Sequence, residues 1–99
     1  MGTARRQQPA RLAEKLRHIR TQLGYTQEQM AERLGVVKVP PRPGHISEFE
    51  QGKREPSLPV LLQYARYAGV YVDLIIDDEL DLPRRLPSDA RSRSSGRNK

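Results

Sequence analysis

Side chains that commonly carry out catalysis are scarce in this sequence of 99 residues. It contains no cysteine, and its two histidines, His18 and His45, have no acid or nucleophile beside them at a spacing typical of a catalytic pair. A glycine-rich phosphate loop and a cluster with metal-ligand spacing are also absent from the sequence. We therefore predict no catalytic residue, no metal site and no cofactor, and a chain that binds rather than catalyses.

Basic side chains give the sequence its strongest chemical bias, and most of the excess lies at the C-terminus. The formal net charge is +6. Residues 83–99 contain six basic side chains against Asp89 alone, a net charge of +5, which leaves +1 for residues 1–82. A basic tail either improves solubility or attracts nucleic acid regardless of its sequence, and the composition does not choose between these two interpretations.

Two short helices are predicted in the middle of the chain. Thr26 and Gln29 have the spacing of a capping box at the start of the first, and Gly35 is expected to end it in the left-handed conformation. The second is predicted from Pro43, which suits a first turn, to a stop at Gly52. Each has only a narrow apolar stripe, so the two must pack on each other and on neighbouring helices. This is the outline of a helix-turn-helix.

Further helices are predicted on both sides of this pair. The preceding one is amphipathic, with apolar residues at Leu12, Leu16, Ile19 and Leu23, and its polar face, which includes Lys15, is expected to be solvated. Ser57 is expected to cap a core helix with Leu58, Leu61, Leu62, Ala65 and Ala68 on its apolar stripe and Tyr64 at the rim. Residues 72–79 fit a strand or a short helix. The acidic run at residues 77–81 is expected to be a solvated edge that repels nucleic acid.

Three segments of the sequence, RTQLGYTQEQMAERLG, HISEFEQGKREPSL and LLQYARYAGVYVDLI, resemble the Cro/phage-repressor (Xre-type) helix-turn-helix domain. The resemblance covers roughly residues 12–76 and depends on the order and spacing of several short motifs. It implies an all-α, lambda-repressor-like domain of five helices. It also implies a sequence-specific transcriptional regulator that binds double-stranded DNA and places its second motif helix, about Pro43–Gln51, in the major groove.

The resemblance implies a set of DNA-binding positions in this sequence. They are Gln27, Lys38, Arg42, Gly44, His45, Ser47, Glu48, Gln51, Lys53 and Arg54. Gln27 would meet a phosphate or a base edge, and the last three would lie beside the flanking phosphates. Because Pro43 and Gly44 offer no side-chain donor, base reading would fall to Arg42, His45 and Ser47, with help from Lys38 in the connection.

The resemblance also implies a structural ion pair between Arg20 and Glu50, which would hold two helices in register. Leu74 occupies a position at which the family usually has a polar residue. Since a helix cannot bury three consecutive apolar residues on one face of its own domain, Leu74 and Ile75 are predicted to contact a second subunit in a homodimer.

One departure from the family pattern is the connection over residues 36–42, about seven residues where a tight helix-turn-helix has three or four. Prolines at 40, 41 and 43 stiffen it, and its valines are expected to pack in part. The long connection and the small number of base-reading side chains leave an alternative open. The chain could instead be a protein-binding regulatory module, such as an antitoxin or adaptor, with a protein partner.

The composition divides the chain into a flexible N-terminus at residues 1–8, a domain at 9–82 and a disordered basic tail at 83–99. The longest apolar stretch, residues 70–76, is interrupted by Asp73 and is too short to span a bilayer. No apolar run of a secretory signal follows the N-terminal arginines. We therefore predict no membrane association and a cytoplasmic location.

Overall fold

The computed structural model describes residues 9–87, and this part of the chain is all-α, as predicted. Its helices are α1 (Leu12–Leu23), α2 (Gln27–Arg33), α3 (Pro43–Gln51), α4 (Leu58–Ala68) and α5 (Val72–Ile76), and a short 3-10 helix, Leu34–Val36, follows α2. α1 packs against α3, α4 and α5, and α2 packs against α3. None of these helices has the length and apolar composition needed to cross a membrane.

The helix ends are set largely by local capping. At the start of α2, Thr26 Oγ1 accepts a hydrogen bond from the Gln29 N–H at 3.0 Å, and Gln29 Oε1 accepts one from the Thr26 N–H at 2.8 Å. The predicted capping box is therefore present. Gly24, Gly52 and Gly69 end α1, α3 and α4 at φ values of 80°, 76° and 80°. The predicted left-handed stop at Gly35 is wrong, because α2 tightens into the 3-10 helix instead.

A single core joins side chains from all five helices. Its members include Leu12, Leu16, Ile19, Met30, Leu34, Ile46, Phe49, Val60, Leu61, Tyr64, Ala65, Ala68 and Ile75. Tyr64 is fully buried, so the prediction that it lies at the rim is wrong. Leu58 and Leu62, which were predicted in the stripe of α4, are exposed, because Val60 and Tyr64 take the inward positions.

The packed domain continues past its predicted end at residue 82. Leu86 is buried in the core, and His18 Nε2 lies 3.4 Å from the carbonyl oxygen of Pro83. Residues 83–87 therefore belong to the domain and not to the tail. The rest of the predicted tail, residues 88–99, and the predicted flexible residues 1–8 lie outside the described part of the chain.

Lys15 attaches α1 to the end of α5, and the prediction that it is solvated is wrong. It is buried, and its Nζ donates to the carbonyl oxygens of Leu74, Asp77 and Leu80 at 2.8, 2.8 and 2.7 Å. Carbonyls at the C-terminal end of a helix lack partners within the helix and favour a cation. Burial lowers the pKa of the Lys15 ammonium below its ordinary value. The cation thus serves as the C-terminal cap of α5.

The acidic run at residues 77–81 contacts the residues that directly precede α1. The Asp78 carboxylate accepts from the N–H groups of Ala10 and Arg11 at 2.8 and 3.0 Å, and Arg11 Nη2 lies 2.7 Å from Asp81 Oδ1. The prediction that this run is merely a solvated edge is therefore wrong, because Asp78 binds two N–H groups of the turn that leads into α1. These backbone hydrogen bonds hold the pKa of Asp78 below its ordinary value of 3.8.

Asp78→Asn should reduce the loss of stability in acid. The pKa of Asp78 is lower in the folded chain than its ordinary value of 3.8, so near that pH the unfolded chain binds more protons than the folded chain. The native state therefore loses stability as the pH falls from the ordinary value through the folded pKa. The variant lacks this titration, and its free energy of unfolding should fall less steeply below about pH 4. Urea unfolding at a series of pH values measures the slope. Glu79→Gln, at an exposed neighbouring position, is the matched control, and equal slopes for the two variants would contradict the assignment.

Candidate nucleic-acid interface

α3 has one face in the core and the opposite face in solvent. Ile46 and Phe49 are buried, and they fix which way the helix faces. Arg42 and Gly44 at its start and Gln51 at its end are exposed, and His45, Ser47 and Glu48 are half-buried. The side chains predicted to meet DNA from this helix are therefore accessible along its length.

The Arg20–Glu50 ion pair is present and joins three helices. Arg20 Nε and Nη2 lie 2.6 and 3.0 Å from the two carboxylate oxygens of Glu50, and Arg20 Nη1 donates to the carbonyl oxygen of Tyr25 at 2.9 Å. Gln27 Nε2 also donates to Glu50, at 3.2 Å. The side chains of the pair are 15% and 6% exposed, so little water competes with this network. It fixes the orientation of α3 relative to α1 and to the start of α2.

A hydrogen bond in the first turn of α3 determines which ring nitrogen of His45 can donate. His45 Nδ1 accepts a hydrogen bond from the Arg42 N–H at 3.1 Å. In the neutral imidazole this places the proton on Nε2, which remains available as a donor. The Arg42 side chain is exposed, and open space surrounds the position of an added Cβ at Gly44. Another molecule could therefore approach this turn closely.

Two side-chain pairs occupy the rest of the exposed face. Gln51 Nε2 donates to Ser47 Oγ at 2.8 Å, which leaves the serine hydroxyl proton to donate elsewhere. Arg54 Nε lies 2.6 Å from Glu48 Oε1, and this hydrogen bond lowers the pKa of the Glu48 carboxyl. The arginine therefore offsets the negative charge of Glu48 on the predicted DNA-binding surface. The sequence did not predict either pair.

The connection between α2 and α3 is anchored at its start. The phenol of Tyr67 donates to the carbonyl oxygen of Arg33 at 2.6 Å, and the Arg33 guanidinium lies 5.0 Å from the centre of the Tyr25 ring. Val37 packs against the core. Val36 and Val39 are 69% and 80% exposed, so the prediction of partial packing holds for one of the three valines.

Arg33 is an exposed cation at the end of α2, just before the connection, and it was absent from the predicted set. The sequence did contain a signal for it. Arg33, Lys38 and Arg42 are the charged residues in the stretch 33–47, which contains no aspartate or glutamate. Lys38 and Arg42 are both exposed, as a nucleic-acid contact requires.

The predicted dimer residues have different environments in α5. Leu74 is half-buried, whereas Ile75 is 0% exposed and belongs to the core of its own protomer. Ile75 therefore presents no surface to a second subunit, and that part of the interface prediction is wrong. The exposed apolar side chains near Leu74 are Tyr71 and Ile76.

The α2–α3 pair, fixed against α1 and exposing one face of its second helix, has the architecture of a helix-turn-helix. A family model described as helix-turn-helix matches residues 16–75, more than half of the chain. The chain belongs to this family, and the resemblance to the Cro/phage-repressor type is confirmed. Within residues 9–87, no group of three or more histidine, cysteine, aspartate or glutamate side chains is arranged to hold a metal ion.

Known proteins that are similar to this chain include a regulator and a repressor. The "SPbeta prophage-derived uncharacterized HTH-type transcriptional regulator YonR" of Bacillus subtilis (strain 168) is 36% identical over 63 residues, which cover 64% of this chain and 54% of the relative. The chain thus spans about half the length of this curated relative. The P22 c2 repressor protein, in a crystal structure with synthetic operator 9T and Tl⁺, is 22% identical with a TM-score of 0.57, over 74% of this chain and 98% of that one. The second likeness confirms the lambda-repressor-like fold.

Proposed function

We propose that the protein is a sequence-specific transcriptional regulator that inserts α3 into the major groove of double-stranded DNA. The observation that carries this proposal is the Arg20–Glu50 network, which fixes α3 with its outer face exposed. The similar Bacillus protein is named as a transcriptional regulator, and the similar repressor was crystallised with operator DNA. A helix used to read a groove has to be held rigidly, because a base contact depends on the position of each donor.

The base-reading role falls to side chains in the first half of α3. Arg42 can donate two hydrogen bonds to a guanine, and His45 Nε2 and Ser47 Oγ supply single donors. Glu48 can accept a hydrogen bond from the amino group of a cytosine. Gly44 would let the backbone approach the groove, since it adds no side chain to the surface.

The phosphate-binding role falls to side chains around the helix ends. Lys38 and Lys53 are exposed cations, and Gln51 is exposed at the end of α3. Arg54 would reach a phosphate only by releasing Glu48 in part, because the two are paired at 2.6 Å. Gln27 has a second amide N–H to offer a phosphate while the first remains on Glu50.

A homodimer would let two copies bind two half-sites, and Leu74 is the interface residue that we retain. Leu74→Glu should shift the protein toward monomer, because a charge at an apolar interface is costly to desolvate. It should also weaken binding to DNA with two half-sites more than binding to one half-site. Sedimentation of the free and DNA-bound protein measures both effects. Leu58→Glu, at an apolar position on α4 that is 77% exposed, is the control; a monomeric wild type in both states would exclude the dimer.

We further propose that the protein acts in the cytoplasm and carries out no catalytic step. A protein-binding module remains the alternative from the sequence, but the family match and the described contacts do not favour it. Repeated selection of bound duplexes from a random DNA pool tests the proposal. The selected duplexes should share a motif, and the protein should bind them at least about a thousandfold more tightly than scrambled DNA. A pool without enrichment would exclude sequence-specific binding.

A further inference from the structure

The connection at residues 37–42 is held at both ends and exposed in between. Val37 packs on the core, and the Arg42 N–H donates to His45 at the start of α3. Lys38, Val39 and Pro40 are exposed, and Val39 is 80% exposed. The segment therefore presents a lysine and an unpacked valine just ahead of the predicted DNA-binding helix.

Proline stiffens this segment and removes some of its backbone donors. Prolines at 40, 41 and 43 have no N–H, and each fixes its φ near −65°. A segment restricted in this way loses little conformational freedom when it binds. It is suited to holding Val39 at one place relative to α3.

The charges next to the segment in the sequence, after Glu32, indicate what the segment would contact. Residues 33–47 contain three cationic side chains and no carboxylate, and Glu48 is paired with Arg54. An occupant of this surface should be anionic close to Lys38 and apolar close to Val39. The major groove of DNA offers both, because the phosphates border it and each thymine exposes a C5-methyl group in it.

We propose that residues 37–42 form a second DNA-reading element, in which Val39 contacts a thymine methyl group and Lys38 the adjacent phosphate. This inference rests on the proposed function, because it requires α3 to lie in the major groove. Val39 is three residues before Arg42 and so lies at most about 10 Å from it along the chain. At about 3.4 Å per base pair, and with the reach of the two side chains added, the thymine falls within about five base pairs of the base that Arg42 reads.

Uracil substitution tests this contact, because it removes the methyl group and leaves base pairing intact. Each thymine of the selected duplex is replaced by deoxyuridine in turn, and Kd is measured for the wild type, Val39→Ala and Val36→Ala. At one thymine flanking the α3 contacts, the wild type should bind about fourfold more weakly without the methyl group. Val39→Ala should show no such difference there. Val36→Ala, at an exposed valine on the 3-10 helix, should behave like the wild type.

The possible outcomes separate this inference from the proposed function. If a motif is selected but the three proteins respond alike to every substitution, the loop does not read thymine, and the role of α3 stands. The same holds if Val39→Ala weakens binding to all duplexes equally. If the pool yields no motif, sequence-specific binding fails, and the contact proposed for Val39 fails with it.

Discussion

Glu50→Ala should lower the free energy of unfolding by about 3 kcal/mol or more. The substitution leaves the Arg20 guanidinium, which is 15% exposed, without its carboxylate partner. It also removes the acceptor of the Gln27 amide, so α1, α2 and α3 lose their common contact. Denaturant unfolding measures the loss. Glu48→Ala breaks a pair whose side chains are 50% and 43% exposed, and as the control it should change stability little.

A double-mutant cycle shows whether the loss belongs to this ion pair. Arg20→Ala with Glu50→Ala should destabilise the protein by clearly less than the sum of the single changes, because each single change leaves an unpaired group. Additive effects, or an unchanged melting temperature in Glu50→Ala, would show that the ion pair does not hold α3 in place.

Lys15→Met should destabilise the protein by about 3 kcal/mol. Three carbonyls lose a hydrogen bond to a charged group, each worth about 1.5–3 kcal/mol, and part of this loss is offset because methionine avoids the cost of burying an ammonium. Methionine retains most of the packing of the lysine stem, so the loss reports the hydrogen bonds. Hydrogen exchange should also become faster in α5, since its C-terminal cap is gone.

Arg17→Met provides the matched control for Lys15, because it removes a cation from an exposed position on the same helix. It should leave both the unfolding free energy and the exchange rates of α5 close to those of the wild type. If Lys15→Met behaved in the same way, Lys15 would not cap α5, and the contact between α1 and α5 would depend on apolar packing alone.

The sequence predicted the helix-turn-helix well, because its signals are local. The Thr26–Gln29 capping box and the glycine stop at Gly52 involve residues within one turn of the helix ends. The same kind of reasoning failed at Gly35, which lies in a 3-10 helix that begins at the buried Leu34 and has no left-handed stop.

The role of Lys15 depends on contacts between residues far apart in the chain, and this explains why local rules missed it. A signal was nonetheless present, because Lys15 lies three residues after Leu12 and four before Ile19, within the apolar face of α1. A charge in such a position indicates a buried partner. Its partners are backbone carbonyls, which no sequence pattern identifies.

The sequence identified the positions that form the candidate site, but it did not predict how their side chains pair with one another. The resemblance placed Ser47 and Glu48 on the exposed face of α3, and the structure adds that they pair with Gln51 and Arg54. Such pairs depend on side-chain rotamers, which a sequence does not specify. In α5, three consecutive apolar residues could not show that Ile75, and not Leu74, faces the core.

A salt titration of DNA affinity tests the central claim most directly. Kd is measured on the selected duplex and on scrambled DNA for the wild type, Arg42→Ala, Ser47→Ala and Lys53→Ala. Arg42→Ala and Ser47→Ala should lower the ratio of specific to non-specific affinity. The corresponding difference in binding free energy should shrink by about 1–3 kcal/mol per lost base contact. Lys53→Ala should weaken both affinities alike and reduce the salt slope by about 1. If Arg42→Ala and Ser47→Ala both leave the ratio unchanged, α3 does not read bases through these side chains.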